Sequence, residues 1–267
     1  RAGSPLAPEQ TPTMATRPRK HPHAHDASDP RVAALVDELR AMGSEQDRAG
    51  MARFGIRVDD AFVMFDPEAR TEADATILST ENEVSVRLGS PRPSTRVPSR
   101  RAVLVQCIGK ADKIDQVVRD ATELGATAVL PAIAERSVAH RAGAGALERW
   151  RRVAVEAARQ CGRGDVPTIA PARPLAEVLV EAPQGARVLL DPHSGSPLRA
   201  YIVEPAAAYT FAIGPEGGVS PTEVALARDH GFATARLGAF TLRTETVAAA
   251  VLGALAVVAD GPSTEAL

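Results

Sequence analysis

The residues with most chemistry to offer lie in two turns near the C-terminus. Ile213-Gly214-Pro215-Glu216-Gly217-Gly218 follows the apolar stretch Thr210-Phe211-Ala212-Ile213 and precedes a helical segment that opens at Pro221. Glycines in such a turn let the backbone come close to a ligand and expose its N–H groups. The turn lacks the Lys-Ser/Thr of a phosphate loop and does not match GxGxxG, so neither nucleotide fingerprint is present. Alone, it reads equally well as an ordinary strand-to-helix connection. The second turn, Leu237-Gly238 and then Leu242-Arg243-Thr244-Glu245-Thr246, opens the last helix. Thr244 suits an N-cap, but capping explains neither Arg243 nor Glu245. A third strand end, Leu190-Asp191-Pro192, points its turn toward the same edge. Ligands of open α/β sheets sit at the carboxyl ends of strands, so three loop tips at one edge would make a pocket of adenosine size.

The elements that must hold these turns follow from periodicity. Apolar stretches at Arg101–Cys107, Ala128–Leu130, Val188–Leu190 and Thr210–Ile213 read as strands, the second stopped by Pro131. Apolar residues at helical spacing mark helices over Lys113–Leu124, Ala146–Gln160, Pro221–His230 and Thr244–Val258. Strands alternating with helices argue for a mostly parallel, doubly wound sheet. Ahead of a Pro/Ser linker at 91–99, alternating residues at Ala61–Phe65, Ala75–Ile77 and Val84–Leu88 read as short strands of a β-rich module, and short helices are expected at 31–42 and 45–53. Residues 1–30 have the composition of a disordered tail; His21-Pro22-His23-Ala24-His25 in it could hold a metal, but it reads as a solvated tail, and no metal site is expected.

Composition narrows the class. The chain has 267 residues, 45% apolar and 24% charged, with a formal net charge of −2. That balance does not advertise a nucleic-acid partner, so an RNA-binding face would have to be a local patch. No stretch approaches the roughly 20 apolar residues of a membrane helix. Cys107 and Cys161 show no metal or redox spacing and read as buried, reduced thiols, which with the lack of an apolar leader fits a cytoplasmic protein.

Several ordered motifs carry a family resemblance. They are Ile108-Gly109-Lys110-Ala111-Asp112-Lys113, Ala121-Thr122-Glu123-Leu124-Gly125-Ala126, Glu135-Arg136-Ser137-Val138, Glu156-Ala157-Ala158-Arg159-Gln160-Cys161-Gly162-Arg163, Val166-Pro167 and the two turns above. From about Phe62 to Val258 the chain resembles the 16S ribosomal RNA uracil-N3 methyltransferase family, the RsmE family of the SPOUT class. The resemblance implies a trefoil-knotted parallel sheet with helices on both faces over 98–262. Before it would stand a small, atypical PUA-like β module, with the short helices, over 31–97. It implies S-adenosyl-L-methionine as cofactor, held by Leu190, Asp191, Ile213, Gly214, Pro215, Glu216, Gly217, Gly218, Leu237, Gly238, Leu242, Thr244 and Thr246. It also implies a homodimer, with the Ala-rich last helix at the interface. The substrate it implies is small-subunit ribosomal RNA, in the assembled 30S particle, at uridine 1498.

Chemistry on N3 of uracil needs either a base or a cation that stabilises the uracil anion. Arg243 is the first candidate for the cation, oriented by Glu245 or Glu216. RNA would be met by arginines on and around helix 146–160, among them Arg141, Arg149, Arg151, Arg152 and Arg159. The strongest candidates are Arg136 and the Glu156, Gln160, Arg163 motif, with Arg163 on phosphate or on the base. Three features depart from the family. Phe240 stands where its Leu-Gly-x-Arg turn has arginine, Asp120 replaces a lysine, and the first barrel strands are missing. In their place residues 31–62 resemble the opening of helical-repeat DNA-alkylation-repair proteins, notably Gly50–Ile56. Two other readings stay open: a non-catalytic RNA-binding relative, and the same chemistry on another RNA.

Overall fold

The computed structural model describes residues 57–66, 69–79, 85–109, 113–137 and 142–259. The expected tail, the helices at 31–42 and 45–53, Lys110–Asp112 of the first motif, and Arg141 lie outside them. The described residues fall into two compact units, 57–64 with 73–92 and 65–72 with 93–259.

A four-stranded sheet contains β1 (Ala61–Asp66), β2 (Thr71–Ser79), β3 (Ser85–Leu88) and β4 (Arg92–Pro93), ordered β1-β2-β3 with β4 also on β2. β2 and β3 run antiparallel, with Ala75 opposite Leu88 and Ile77 opposite Val86. Ala73, Ala75 and Ile77 are buried, the period of two that the sequence shows.

The larger unit is built on a seven-stranded sheet, ordered β11-β9-β10-β5-β6-β7 with β8 also on β6. Its strands are β5 (Ala102–Cys107), β6 (Ala128–Ile133), β7 (Thr168–Ile169), β8 (Arg173–Pro174), β9 (Ala186–Leu190), β10 (Tyr209–Ile213) and β11 (Ala233–Ala235). All its pairings are parallel. β5 and β10 are central and buried at every residue, as strands covered on both faces must be. One face is covered by α1 (Lys113–Glu123), α2 (Ala146–Cys161), α4 (Arg199–Ile202) and α6 (Thr244–Ala259). The other is covered by α3 (Leu175–Glu181) and α5 (Pro221–Asp229). Leu104 faces the first layer and Val105 the second, so alternation along one strand feeds two cores. α1 buries Ile114, Val117, Val118 and Ala121, spacing that puts all four on one stripe. α2 ends at Gly162, whose left-handed φ of 70° lets its N–H reach the carbonyls of Ala158 and Arg159.

This is the fold class expected from the sequence, with helices on both faces and a small β module ahead of them. One expectation is corrected: Pro131 does not stop β6, which runs to Ile133. Val129 accepts a hydrogen bond from Ala170, and Ala132 accepts one from Ile108 on the opposite side. Pro131, sharing the parity of Val129, turns its missing N–H toward the gap between β7 and β8, where no ladder bond is lost. A second correction concerns the cysteines. Both are free, but only Cys107 is buried, whereas Cys161 is half-buried. Burial, and then the nearby Glu223 charge, pushes the Cys107 thiol up. No helix among the described residues is long and apolar enough to cross a membrane.

Candidate active site

Register decides where the turns meet. Ile213 pairs with Leu190 and with Gln106, and Leu190 pairs with Ala235, so four parallel strands end at one level. The turns after β9, β10 and β11 therefore leave the same edge side by side. After β11 the chain passes the 194–198 loop and returns to lay α6 against α1, β10 and β5. It is bonded to that loop as it passes: Leu198 N–H donates to the Arg236 carbonyl, and Arg236 N–H to the Ser196 carbonyl, at 2.9 and 2.8 Å. Arg236 Nη1 donates to the Gly195 carbonyl at 2.7 Å.

Between these turns lies a cleft of about 460 Å³. Its walls carry Leu190, Asp191, all of Ile213–Gly218, Leu237, Leu242 and Thr244. Of the thirteen residues expected to hold a cofactor, Gly238 and Thr246 do not line it. Sequence reasoning missed Leu189, His193, Val219, Val224, Thr241 and Val247, and it placed Arg136 on RNA and Phe240 as a departure, where the structure sets both on this wall. The signal for Val219, Val224 and Val247 was only that they flank the motifs.

Local chemistry fixes the central turn. Gly218 has a φ of +72°, open to glycine and strained for most other residues. Ser220 then caps α5: its hydroxyl accepts from Glu223 N–H at 3.2 Å, and the Glu223 carboxylate accepts from Ser220 N–H at 2.9 Å. Such a box contributes about 1 kcal/mol. The other Glu223 oxygen accepts from Glu135 N–H at 2.9 Å, so a buried carboxylate ties this turn to the loop after β6. Arg136, in that loop, donates from Nη1 to the Gly217 carbonyl at 3.3 Å. Ser220-Pro221-Thr222-Glu223 is a capping-box pattern and was legible in the sequence.

The carboxylates do not orient Arg243, which corrects the expectation. Glu216 Oε1 and Glu245 Oε2 each lie 3.2 Å from Lys113 Nζ, at the start of α1. Glu245 is buried, which opposes its charged form, yet its backbone hydrogen bond, Lys113 and Thr244 together hold the carboxyl below its ordinary range. Hydrogen bonds that the Lys113 ammonium donates to Glu216 and Glu245 raise it above its usual value. Arg243 is exposed, lies between the wall residues Leu242 and Thr244, and makes no ion pair among the described residues.

The other expected RNA contacts divide. Glu156 and Gln160 are exposed on α2, away from the cleft walls, and Glu156 pairs with Arg159 at 3.1 Å. Arg149 pairs with Asp115 and Arg151 with Glu148, so much of the arginine face of α2 is already neutralised. Arg163 is corrected outright. It is 6% exposed, its Nε donates to Asp165 at 2.6 Å and its Nη1 to the Thr122 carbonyl at 2.8 Å. As placed, it braces α1 against the 162–165 turn and reaches no phosphate.

Comparison with known proteins agrees with this geometry. Residues 96–256 match the model of a family described as RNA methyltransferase domain. The chain is similar to ribosomal RNA small subunit methyltransferase E of Mycobacterium tuberculosis, 37% identical over 177 residues, or 62% of this chain and 65% of that protein. The match thus spans just under two thirds of that relative. The fold is similar to a ribosomal RNA small subunit methyltransferase E from Neisseria gonorrhoeae, solved with S-adenosyl methionine. The TM-score is 0.72 at 26% identity, covering 80% of this chain and 90% of that one. It is also similar to a methyltransferase from Legionella pneumophila solved with the same cofactor, with a TM-score of 0.69 at 28% identity over 78% and 86% of the two chains.

Proposed function

From the premise that this chain belongs to the RNA methyltransferase family, we propose that it transfers a methyl group from S-adenosyl-L-methionine to N3 of a uridine in small-subunit ribosomal RNA, uridine 1498 by family resemblance. The observation that carries the proposal is the convergence of three strand-end turns on one cleft. The residues suit the donor. The volume falls in the range of small-ligand pockets, the walls are Leu, Ile, Val and turn backbone, and Asp191 and Glu216 offer carboxylates to a molecule bearing a sulfonium and an amine. When bound, that donor supplies an electrophilic methyl group.

The rest falls to the chain's own residues. The turns fix position, which supplies much of the rate in a displacement of this kind. Uracil N3 keeps its proton at neutral pH, so the site must favour the anion. Arg243 makes no ion pair among the described residues and is set between two wall residues, and it takes the role of the stabilising cation. Arg136, on the wall itself, is the contact for the RNA backbone. Glu245 acts through Lys113 and not through Arg243. We place the reaction in the cytoplasm, on the assembled 30S particle, by a homodimer packed through α6.

Calorimetric titration with S-adenosyl-L-methionine tests the cofactor, and an absence of binding at millimolar ligand would sink the proposal. Mass spectrometry of ribosomal RNA from a deletion strain tests the substrate, since N3-methyluridine persisting there rules it out. A second reading, the same transfer on a different RNA, is favoured by Phe240. It stands 83% exposed on the cleft wall where the family pattern has arginine. In that case the methylated nucleoside lost from the deletion strain would come from another RNA.

A further inference from the structure

Lys113 joins two segments that the sequence keeps far apart. Its ammonium lies 3.2 Å from Glu216, in the turn between β10 and α5, and 3.2 Å from Glu245, in the first turn of α6. The end of β5 is shaped to let this happen. A Cβ on Gly109 would stand 2.7 and 2.8 Å from the two Glu216 carboxylate oxygens, so a larger residue there would push that side chain off its position beside Lys113. An isolated ion pair at a surface contributes little. This arrangement differs in two respects: the Glu245 side chain is only 10% exposed, and a single cation serves two carboxylates. Lys113 thus offsets two carboxylates at once, one of them with little water to screen it.

Glu216 lines the cleft, and Glu245 lies in a segment whose neighbours do. Pro215 and Gly217 flank Glu216, while Thr244 and Val247 stand on the turn that carries Glu245, and all four line the cleft. We propose that Lys113 is a positioning residue, an ionic clasp that sets the 213–218 turn and the start of α6 at the separation the methyl donor requires before any ligand arrives. This rests on the reading of the cleft as the methyl-donor site. Ordering the walls in advance lowers the cost of binding.

The test uses the full chain with Lys113→Met, Lys113→Arg and the double variant Lys113→Met/Glu245→Gln. In ligand-free protein, amide hydrogen exchange should rise in 214–218 and 242–247 together in Lys113→Met and return toward wild type in Lys113→Arg. Calorimetry with S-adenosylhomocysteine should show affinity falling about 10-fold or more in Lys113→Met, the scale of one charged hydrogen bond. The double variant should recover part of that loss, because it also removes the largely buried Glu245 charge that Lys113 offsets. A role in folding alone gives no such charge rescue, and it lowers the unfolding midpoint without selecting the two turns. Unchanged exchange in Lys113→Met, or a double variant at least as impaired as the single one, overturns the clasp. Wild type that binds no S-adenosylhomocysteine overturns the methyl-donor reading instead, and exchange still decides the clasp. Should Lys113→Met fail to fold, Lys113→Gln and the double variant carry the same comparisons.

Discussion

Lys113 and Arg163 are both cations held by acidic side chains, and they belong to opposite kinds of region. Arg163 lies inside the larger unit at 6% exposure, with Asp165 at 2.6 Å and a backbone carbonyl as its partners. Around it Arg70 reaches Asp165, Ser94 donates to the Gly164 carbonyl and Arg96 to the Cys161 carbonyl, so the 161–165 turn is locked from several sides. Lys113 stands at the cleft, one third exposed, between carboxylates of two turns. The motif around Arg163 looked like a contact for RNA, and Lys113 sat in a motif with no role assigned. Burial reversed both. A charge out of water holds structure, while a charge at a cleft rim stays available to set loops or meet a ligand.

The comparison is sharpest where the expected effects are largest. Arg163→Met leaves Asp165 buried with, among the described residues, the exposed Arg70 as its one cation. Removing one member of a buried pair costs about 3–5 kcal/mol. The drop should appear as a lower denaturant midpoint at unchanged slope, and RNA affinity in the fraction that stays folded should be unaltered. A variant that folds like wild type and loses RNA would return Arg163 to the substrate. Next in size, Arg243→Ala should lower turnover by about 10²- to 10³-fold, the scale of losing one preorganised stabilising group. Cofactor affinity should barely move, and a parallel loss of affinity would mean that Arg243 holds the cofactor.

The clasp also carries a pH signature. Glu245 titrates below the ordinary range of a glutamate, so its interaction is complete above that range and fades as pH falls through the depressed value. Lys113 titrates above 10.5, so its interaction is complete below that value and is lost only as pH rises past the elevated one. Affinity for S-adenosylhomocysteine should therefore be flat across neutral pH and fall on the acid side, as the Glu245 carboxyl takes up its proton. Lys113→Met should flatten the acid limb, and an unchanged limb would place its origin outside the clasp. The smallest effect is expected at Arg173, which pairs with Glu177 and Glu181 at 3.0 and 2.6 Å on an exposed face. Water and salt screen that cluster, so Arg173→Ala should leave the unfolding midpoint near wild type in moderate salt.

The larger elements were legible because their causes are local. The apolar stretches of β5, β9 and β10 and the helical stripes of α1, α2 and α6 give themselves away by composition and period. The two-residue strands β7 and β8 have no period to show, and β11 is only three residues long. α3 carried a signal that was passed over, since Leu175, Val178, Leu179 and Ala182 keep helical spacing along one buried stripe. Pro131 looked like a stop because the sequence cannot say which side of a strand its missing N–H will face.

The candidate site divides in the same way. By itself the sequence determined the glycine-rich turn, the Leu242–Thr246 segment and the strand ends that carry them, because turn conformation and strand polarity are properties of short stretches. Only the tertiary structure decided that Leu190, Ile213 and Ala235 end level, that Phe240 and Arg136 join the cleft wall, and that Arg163 turns inward. It also decided that Lys113 meets Glu216 from 103 positions away. A charge takes its role from its depth and from its neighbours, and both are set by how distant segments pack.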